Sequence, residues 1–260
     1  MKKIIMVLSI AYLSMASNAL AFSVKHELFV TIGMFDASST SFEYGFDKNK
    51  YHLISDVKTS GFFDTMYPFN ATYTTSGNIV KNKFQATTYK YTSQSRSSKR
   101  SREIVFDNKG NPIASIGLKD GKENKKEITE TFPDKDASDL QTVFAMMAKQ
   151  YSSLGFCEGR LAIFDGKRRF DVIFQDDGES TLEESPLSPF KGKAHKCLMT
   201  IDKLSEQTDD LLWKITEKQP IHLWIMRDKK TNIPFIARIE IKNTILGRLI
   251  AKTTKVTINE

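Results

Sequence analysis

Residues 155–175, with the sequence GFCEGRLAIFDGKRRFDVIFQ, contain two apolar-rich runs joined by the dipeptide Asp165-Gly166. An Asp-Gly pair between two such runs is the strongest short-range signal for a β-hairpin. In the second run apolar and mixed positions alternate, and one apolar face is formed by Phe170, Val172 and Phe174. This alternation is typical of a strand with one buried face. The stretch therefore predicts a hairpin, which we expect at the centre of a mostly antiparallel β protein.

The rest of the chain also has a predominantly β pattern. We predict further strands at residues 23–35, 39–46, 51–59, 84–96, 100–107, 194–204, 221–227, 235–242 and 247–258. Residues 36–38 are predicted as a turn, and the charged stretch 119–126 and the polar stretch 179–192 as loops. Helical spacing of apolar residues predicts one packed helix at 138–152, with Ser138 as its N-cap. The expected fold class is mainly β, with about ten to twelve strands and one α-helix.

The N-terminus predicts export from the cytoplasm. Lys2 and Lys3 precede an apolar run at 4–13, and Ala19-Leu20-Ala21 fits an A-x-A cleavage site. We therefore predict a cleaved signal peptide at residues 1–21 and a single β-rich periplasmic domain at 22–260 of a Gram-negative bacterium. The alternative is an uncleaved N-terminal anchor, because residues 4–21 are nearly long enough to span a bilayer.

Charge favours some partners over others. The formal net charge is +7, which suits anionic envelope lipids or glycans. Nucleic acid is not an expected partner, because the predicted compartment is wrong and no nucleic-acid-binding module is evident.

Cys157 and Cys197 are the only two cysteines of the chain. In an oxidising compartment an even pair predicts a disulfide. Such a bond would close a loop of about forty residues and stabilise the fold by roughly 4 kcal/mol in the chain-entropy account. Two free thiols or a redox-active pair are the alternatives, although the chain has no C-x-x-C motif.

No motif predicts catalysis, a cofactor or a metal site. The four histidines have no carboxylate or second histidine at a ligand or triad spacing, and they are His26, His52, His195 and His222. The chain lacks a G-x-S-x-G elbow, an H-E-x-x-H motif, a P-loop and a G-x-G-x-x-G motif. Adjacent carboxylates occur only in polar stretches, where solvated charge is the ordinary interpretation. We do not expect an enzyme.

Two groups of side chains are candidates for binding. A basic group could hold phosphate or carboxylate if its strand lies near the hairpin, and it comprises Arg96, Lys99, Arg100, Arg102, Lys167, Arg168 and Arg169. The alternative is that these residues form an exposed strand face. Their charges would then keep the face soluble and prevent other strands from pairing with its edge. An aromatic group could line an apolar groove or plug one end of the sheet, and it comprises Phe62, Phe63, Tyr67 and Phe69.

Several stretches, taken in order, resemble the alphaproteobacterial form of an envelope family known as domain of unknown function 3108. They are residues 61–69, 96–106, the helix after Asp136, Cys157, 164–171, Cys197 and 220–227. The lysine-rich stretch 119–126 departs from the family pattern. The family has no agreed activity, so the resemblance transfers no catalytic residue.

The family plan is similar to envelope-integrity β-spiral proteins and, more remotely, to lipoprotein carriers with a curved sheet around a helix. This similarity implies a curved antiparallel sheet, or an open β-barrel or spiral, with the helix near its mouth and an apolar groove. We therefore expect a non-enzymatic envelope-maintenance protein that binds a lipid-like, glycan or protein partner. One alternative is an envelope hydrolase or transferase with a site assembled from scattered residues. Another is a structural interaction module that binds by strand addition.

Overall fold

The computed structural model describes residues 22–81, 83–128, 137–166, 168–203, 218–244 and 246–259. These residues contain two α-helices, α1 (Gly61–Met66) and α2 (Leu140–Leu154). They also contain fourteen strands: β1 (Phe22–Ile32), β2 (Phe35–Asp47), β3 (Lys50–Thr59), β4 (Phe69–Val80), β5 (Lys83–Ser95), β6 (Lys99–Phe106), β7 (Pro112–Lys119), β8 (Lys122–Glu127), β9 (Gly159–Phe164), β10 (Arg169–Leu182), β11 (Gly192–Lys203), β12 (Ile221–Arg227), β13 (Pro234–Thr244) and β14 (Gly247–Asn259). The signal peptide predicted at 1–21 lies outside the described residues.

All fourteen strands form one antiparallel sheet in the order β8-β7-β6-β5-β4-β3-β2-β1-β14-β13-β12-β11-β10-β9. The predicted fold class is confirmed, but the strand count is higher than ten to twelve. Residues 119–126, predicted as a loop, form the turn and paired ends of the β7–β8 hairpin. The predicted loop at 179–192 likewise begins as the last part of β10. The first turn lies at residues 33–34, rather than at 36–38.

The hairpin of β9 and β10 forms as predicted, but it lies at one end of the strand order, so its predicted central position is wrong. It instead contacts β6 and β7 near the other end of the strand order, and we call this junction the seam of the curved sheet. The Gly166 carbonyl accepts hydrogen bonds from Arg102 Nη1 on β6 at 2.7 Å and from Ser115 Oγ on β7 at 3.2 Å. Phe164 also shares a buried cluster with Ile104 of β6. Side-chain contacts therefore bring the two ends of the sheet together, although β8 and β9 do not pair.

Helix α2 lies within the curve of the sheet, in contact with β3, β4 and β5 on one side and with β9 and β13 on the other. Its N-cap is Asp139, because that carboxylate accepts the backbone N–H groups of Gln141 and Thr142. The prediction of Ser138 as the N-cap is therefore wrong by one residue. Ser138 instead pairs through its backbone with Ala162 and Phe164 along β9.

Neither helix in the described part of the chain has the length and apolarity needed to cross a membrane.

The two cysteines anchor the chain that leaves α2 to the sheet. Cys157 follows the helix, Cys197 lies in β11, and their Cα atoms are 5.9 Å apart in a disulfide. Both are fully buried in the largest apolar cluster, beside Met199 and Leu223. The predicted pairing is therefore present in the structure.

Antiparallel strands place alternate connections at opposite ends of the sheet. The connections β1–β2, β3–β4, β5–β6, β7–β8, β9–β10 and β13–β14 consequently share one end, which we call the open end. The C-terminal turn of α2 lies at the other end, where Lys149 and Ser153 line a cavity with Phe22 and Phe46. The helix therefore fills the far half of the interior and leaves space beneath the open end.

His26 is a buried neutral group of the interior. Its Nδ1 donates to the Phe42 carbonyl at 3.3 Å, and its Nε2 accepts the Ile236 N–H at 3.2 Å. These two bonds require the tautomer with the proton on Nδ1 and leave no place for a second proton. Burial lowers the pKa of His26 to about 4, while the bond to Phe42 opposes this shift.

We predict that His26 makes the free energy of unfolding fall as the pH drops from about 6.5 to about 4. In that window the unfolded chain binds a proton that the folded chain excludes, so stability is complete only above the unfolded pKa. The full effect is on the order of 3 kcal/mol. Urea unfolding at several pH values measures it, and His26→Gln should have a shallower pH dependence than the wild type.

The matched control is His52→Gln, because His52 lies exposed on β3. This control should follow the wild-type pH dependence. Equal pH dependence in wild type, His26→Gln and His52→Gln would contradict the assignment of His26 as a buried neutral group.

Candidate ligand-binding site

One row of cross-strand neighbours passes from an apolar to a basic environment along the inner face of the sheet. In order from β1 to β8, its members are His26, Phe42, Ser55, Tyr73, Tyr91, Arg102, Gly117 and Asn124. Side chains that are direct partners in successive strands point to the same face. The row therefore places aromatic and basic groups side by side in the interior.

The apolar half of this face borders a cavity of about 270 Å³. Leu28 and Val30 of β1, Phe42 of β2 and Val57 of β3 form one wall. Phe144 of α2 also lines the cavity. Ile236 and Ile239 of β13 and Ala251 of β14 line it as well. We call this space the apolar cavity. Its composition suits a hydrocarbon group, since burial of apolar surface is favourable.

The basic half borders a second cavity, of about 630 Å³, at the seam of the sheet. Five cationic side chains and one carboxylate line it: Arg100, Arg102, Lys119, Lys122, Arg168 and Asp165. We call this space the basic cleft. Three tyrosines from β4 and β5 also line it, namely Tyr73, Tyr89 and Tyr91.

The two spaces share part of their lining. Tyr73, Tyr89 and Leu140 border both the apolar cavity and the basic cleft. The rings of Tyr73 and Tyr91 lie 4.8 Å apart between centroids, so the shared wall is aromatic. Tyr73, Tyr89 and Leu140 therefore form a wall common to both spaces, so that the two lie side by side.

The cations of the cleft differ in how firmly they are held. Arg102 Nη1 donates to the Gly166 carbonyl and to Ser115 Oγ, and its Nη2 lies beside Gly117. Arg168 forms an ion pair with Asp165 at 2.6 Å. Arg100 is exposed at the start of β6, where its Nε donates to Ser98 Oγ at 3.2 Å.

The tyrosines of the shared wall stay protonated at neutral pH. Burial, with a smaller contribution from Tyr91, raises the pKa of Tyr73 to about 12. Burial also raises the pKa of Tyr89 well above its ordinary value. Their hydroxyl groups remain neutral, so they add no negative charge to the cleft and can donate hydrogen bonds to an anion.

The floor of the apolar cavity is fixed by a buried polar network around Asp139. Thr75 Oγ1 donates to Asp139 Oδ1 at 2.8 Å, and Thr142 Oγ1 donates to Oδ2 at 2.7 Å. Ser55 Oγ donates to Gln141 Oε1 at 2.6 Å. Burial raises the pKa of Asp139, and these hydrogen bonds oppose the rise. The network ties the first turn of α2 to β3 and β4.

The structure brings only part of the predicted basic group together. Arg100, Arg102 and Arg168 line the cleft, whereas Arg169 at the start of β10 does not. Arg96 lies in the β5–β6 turn, and exposed Lys99 begins β6. Lys167 lies outside the described residues.

Sequence reasoning missed the two lysines and the three tyrosines of the cleft. Lys119 and Lys122 fell in a predicted loop, whereas they are direct partners across the β7–β8 hairpin. The alternation of Arg100, Arg102, Ile104 and Phe106 in β6 was a usable signal, because it places the arginines on the buried face.

The predicted aromatic group lies on the rim of the open end rather than on the wall of the apolar cavity. Phe62 and Phe63 belong to α1, which has no buried residue. Tyr67 is exposed after α1, and Phe69 is half-buried at the start of β4.

One group of potential metal ligands occurs among the described residues, formed by Cys157, Asp176 and His195. The Cys157 sulfur is engaged in the disulfide, and the His195 ring pairs with the Asp176 carboxylate. Two remaining ligands are fewer than a structural or catalytic metal site ordinarily uses.

The family resemblance is confirmed by comparison with known proteins. A family model described as "Protein of unknown function (DUF3108)" matches residues 21–247. The fold is similar to a crystal structure described as a beta-barrel-like protein of domain of unknown function DUF1849 from Brucella abortus. That similarity has a TM-score of 0.54 at 8% identity and covers 92% of this chain and 98% of the other. No curated protein matches the chain significantly.

We predict that Asp139→Ala lowers the free energy of unfolding by about 2–4 kcal/mol, because it removes the helix cap and leaves buried hydroxyl groups without an acceptor. Asp139→Asn should cost less, since its remaining oxygen can still accept a bond. Urea unfolding measures the change. Ser138→Ala is the control, with an expected change within about 1 kcal/mol. A larger loss for Ser138→Ala than for Asp139→Ala would contradict the cap assignment.

Proposed function

The chain belongs to the family described as protein of unknown function DUF3108, and we propose that it is a non-enzymatic binding protein for an anionic amphiphile. The proposed ligand has a hydrocarbon chain and a phosphate or carboxylate group. The single observation that carries this proposal is that Tyr73, Tyr89 and Leu140 line both the apolar cavity and the basic cleft, which places the two spaces side by side.

Each part of the ligand has a physical counterpart in the site. Burial of a hydrocarbon chain in the apolar cavity gains about 0.8 kcal/mol for each methylene group removed from water. Guanidinium groups bind phosphate and carboxylate through paired hydrogen bonds, so Arg100 and Arg102 suit the anionic end. Lys119 and Lys122 add positive charge at the cleft.

The titratable groups of the cleft favour binding over catalysis. A hydrolase or transferase needs polar groups with pKa values tuned toward neutrality. Burial moves the pKa values of Tyr73 and Tyr89 upward, away from neutrality. The Asp165 carboxylate is held in an ion pair with Arg168.

Both sheet edges are poor templates for strand addition by a partner. Exposed lysines protect β8, including Lys122 and Lys125. The backbone of Ser138 pairs with part of β9 and covers that edge. These features favour a ligand-binding protein over an interaction module that works by strand addition.

We further propose that the protein acts in the periplasm and contributes to envelope maintenance. The disulfide is in keeping with an oxidising compartment. The signal peptide predicted at 1–21 would deliver the chain there, and its cleavage before Phe22 would leave β1 complete. A periplasmic binder would have access to lipid-like anions of the envelope.

We predict saturable binding of dodecyl phosphate by the purified mature protein, measured by displacement of a fluorescent dansyl fatty acid below the critical micelle concentration. Arg100→Gln/Lys119→Gln should raise the Kd for dodecyl phosphate at least about tenfold, because both cations line the basic cleft. The same variant should bind dodecanol as the wild type does. Val57→Phe should weaken both ligands, since it fills the apolar cavity.

The charge-matched control is Lys50→Gln/Lys193→Gln, whose two lysines are exposed and do not line the cleft. It should bind dodecyl phosphate with the wild-type Kd. The proposal is contradicted if the folded wild type binds no dodecyl phosphate, or if the control pair weakens binding as much as the cleft pair.

A further inference from the structure

Six exposed apolar side chains lie at the open end of the sheet. Their exposed fractions range from 48% to 93%, and they are Met34, Phe35, Phe62, Met66, Tyr67 and Leu246. Met34 and Phe35 lie at the β1–β2 turn, Leu246 lies at the β13–β14 turn, and the others belong to α1 or follow it. We call this group the apolar rim. Such a concentration differs from the single exposed apolar residues found on most surfaces.

Backbone and aromatic contacts join the segments that carry the apolar rim. The Gly33 N–H donates to the Arg248 carbonyl at 2.9 Å and connects the β1–β2 and β13–β14 turns. The rings of Phe35 and Phe62 lie 5.2 Å apart between centroids, and the Ser60 N–H donates to the Ala37 carbonyl at 3.1 Å. The apolar rim is therefore one connected surface, to which the β1–β2 turn, the β13–β14 turn and α1 all contribute.

Positive charge predominates beside this surface, on the side of β3 to β8. Exposed cations at the same end include Lys58, Arg96, Lys99, Lys119 and Lys122. Acidic residues at this end are fewer: Asp36 and Glu123 are exposed, while Asp64 accepts a bond from Thr59 Oγ1 and Asp120 accepts the Lys99 N–H. Arg96 also connects the β5–β6 turn to α1, because its Nη2 donates to the Thr65 carbonyl at 2.9 Å.

We propose that the open end docks on the surface of an anionic lipid bilayer. Phe, Tyr, Met and Leu side chains would enter the boundary between headgroups and acyl chains, and the cations would contact anionic headgroups. Aromatic side chains suit this boundary, and each nearby basic residue adds electrostatic attraction. Docking in this orientation would place the end of the sheet nearest the apolar cavity against the bilayer.

The docking surface rests on the apolar rim and its charges, so it goes beyond the proposed ligand and does not require the apolar cavity to be filled. Its failure is therefore distinguishable from failure of the ligand-binding proposal. Vesicle binding tests the rim, whereas dodecyl phosphate binding without vesicles tests the interior.

The experiment measures co-sedimentation of the mature protein with vesicles of phosphatidylglycerol and phosphatidylcholine in equal parts, and with phosphatidylcholine alone. Wild type should partition onto the anionic vesicles, more weakly at high salt. Met34→Ser/Phe62→Ser/Tyr67→Ser should reduce the partition coefficient at least about tenfold. The rim variant should keep its wild-type circular dichroism and its Kd for dodecyl phosphate, which shows that it remains folded.

The matched control is Val80→Ser/Leu154→Ser/Leu187→Ser, which removes three exposed apolar side chains away from the open end. This variant should bind vesicles as the wild type does. In a second test, Met34→Trp should show an emission shift to shorter wavelength on anionic vesicles. The proposal is overturned if wild type does not bind them, or if rim and control variants bind equally. A dimer that the rim variant abolishes, without vesicle binding, would assign the rim to a second copy of the chain.

Discussion

The shape of the interior depends on the buried contacts of Asp139. This carboxylate caps α2 and also accepts the hydroxyl of Thr75, so one side chain fixes both the start of the helix and its position against β4. The bond between Ser55 and Gln141 adds a second connection, to β3. Because these bonds hold the helix in place, it fills the half of the interior away from the open end. The apolar cavity remains in the half beneath the open end. A free carboxylate would be costly in such a place, and the hydrogen bonds around it offset that cost.

Strand register determines which side chains meet around this space. Each strand alternates its side chains between the two faces, so the pairing of Tyr73 with Tyr91 and of Tyr91 with Arg102 carries an aromatic surface directly into a basic one. A slip of one residue would move these groups to the outer face. The seam adds a further constraint, because Arg102 joins β6 to the β9–β10 connection through the Gly166 carbonyl. Arg102 therefore both closes the curved sheet and contributes charge to the basic cleft.

Local sequence signals predicted the elements, but not the way distant elements meet. The Asp165-Gly166 hairpin, the helix near residue 140 and the mainly β class follow from turn chemistry and apolar spacing. The β7–β8 hairpin was missed because Lys122–Glu127 has no apolar alternation, and a strand at the end of a sheet needs none. Asp139 was overlooked as the cap because Ser138 has an equally good local preference; the two are distinguished by the tertiary pairing of the Ser138 backbone with β9, while the Asp139 carboxylate accepts the Gln141 and Thr142 N–H groups. The apolar cavity combines residues from β1, β3, α2 and β13, which no local pattern relates.

The central claim is that this interior holds an amphiphile with an anionic end. The most direct test is gentle-ionisation mass spectrometry of the protein purified from its own cells without detergent. The account predicts an additional mass of lipid-like size that is lost on denaturation and is absent from a variant carrying Val57→Phe in the apolar cavity. Extraction of the released compound should then identify a hydrocarbon chain with a phosphate or carboxylate group. A co-purifying compound without an apolar chain, or an adduct that Val57→Phe retains in full, would contradict the account.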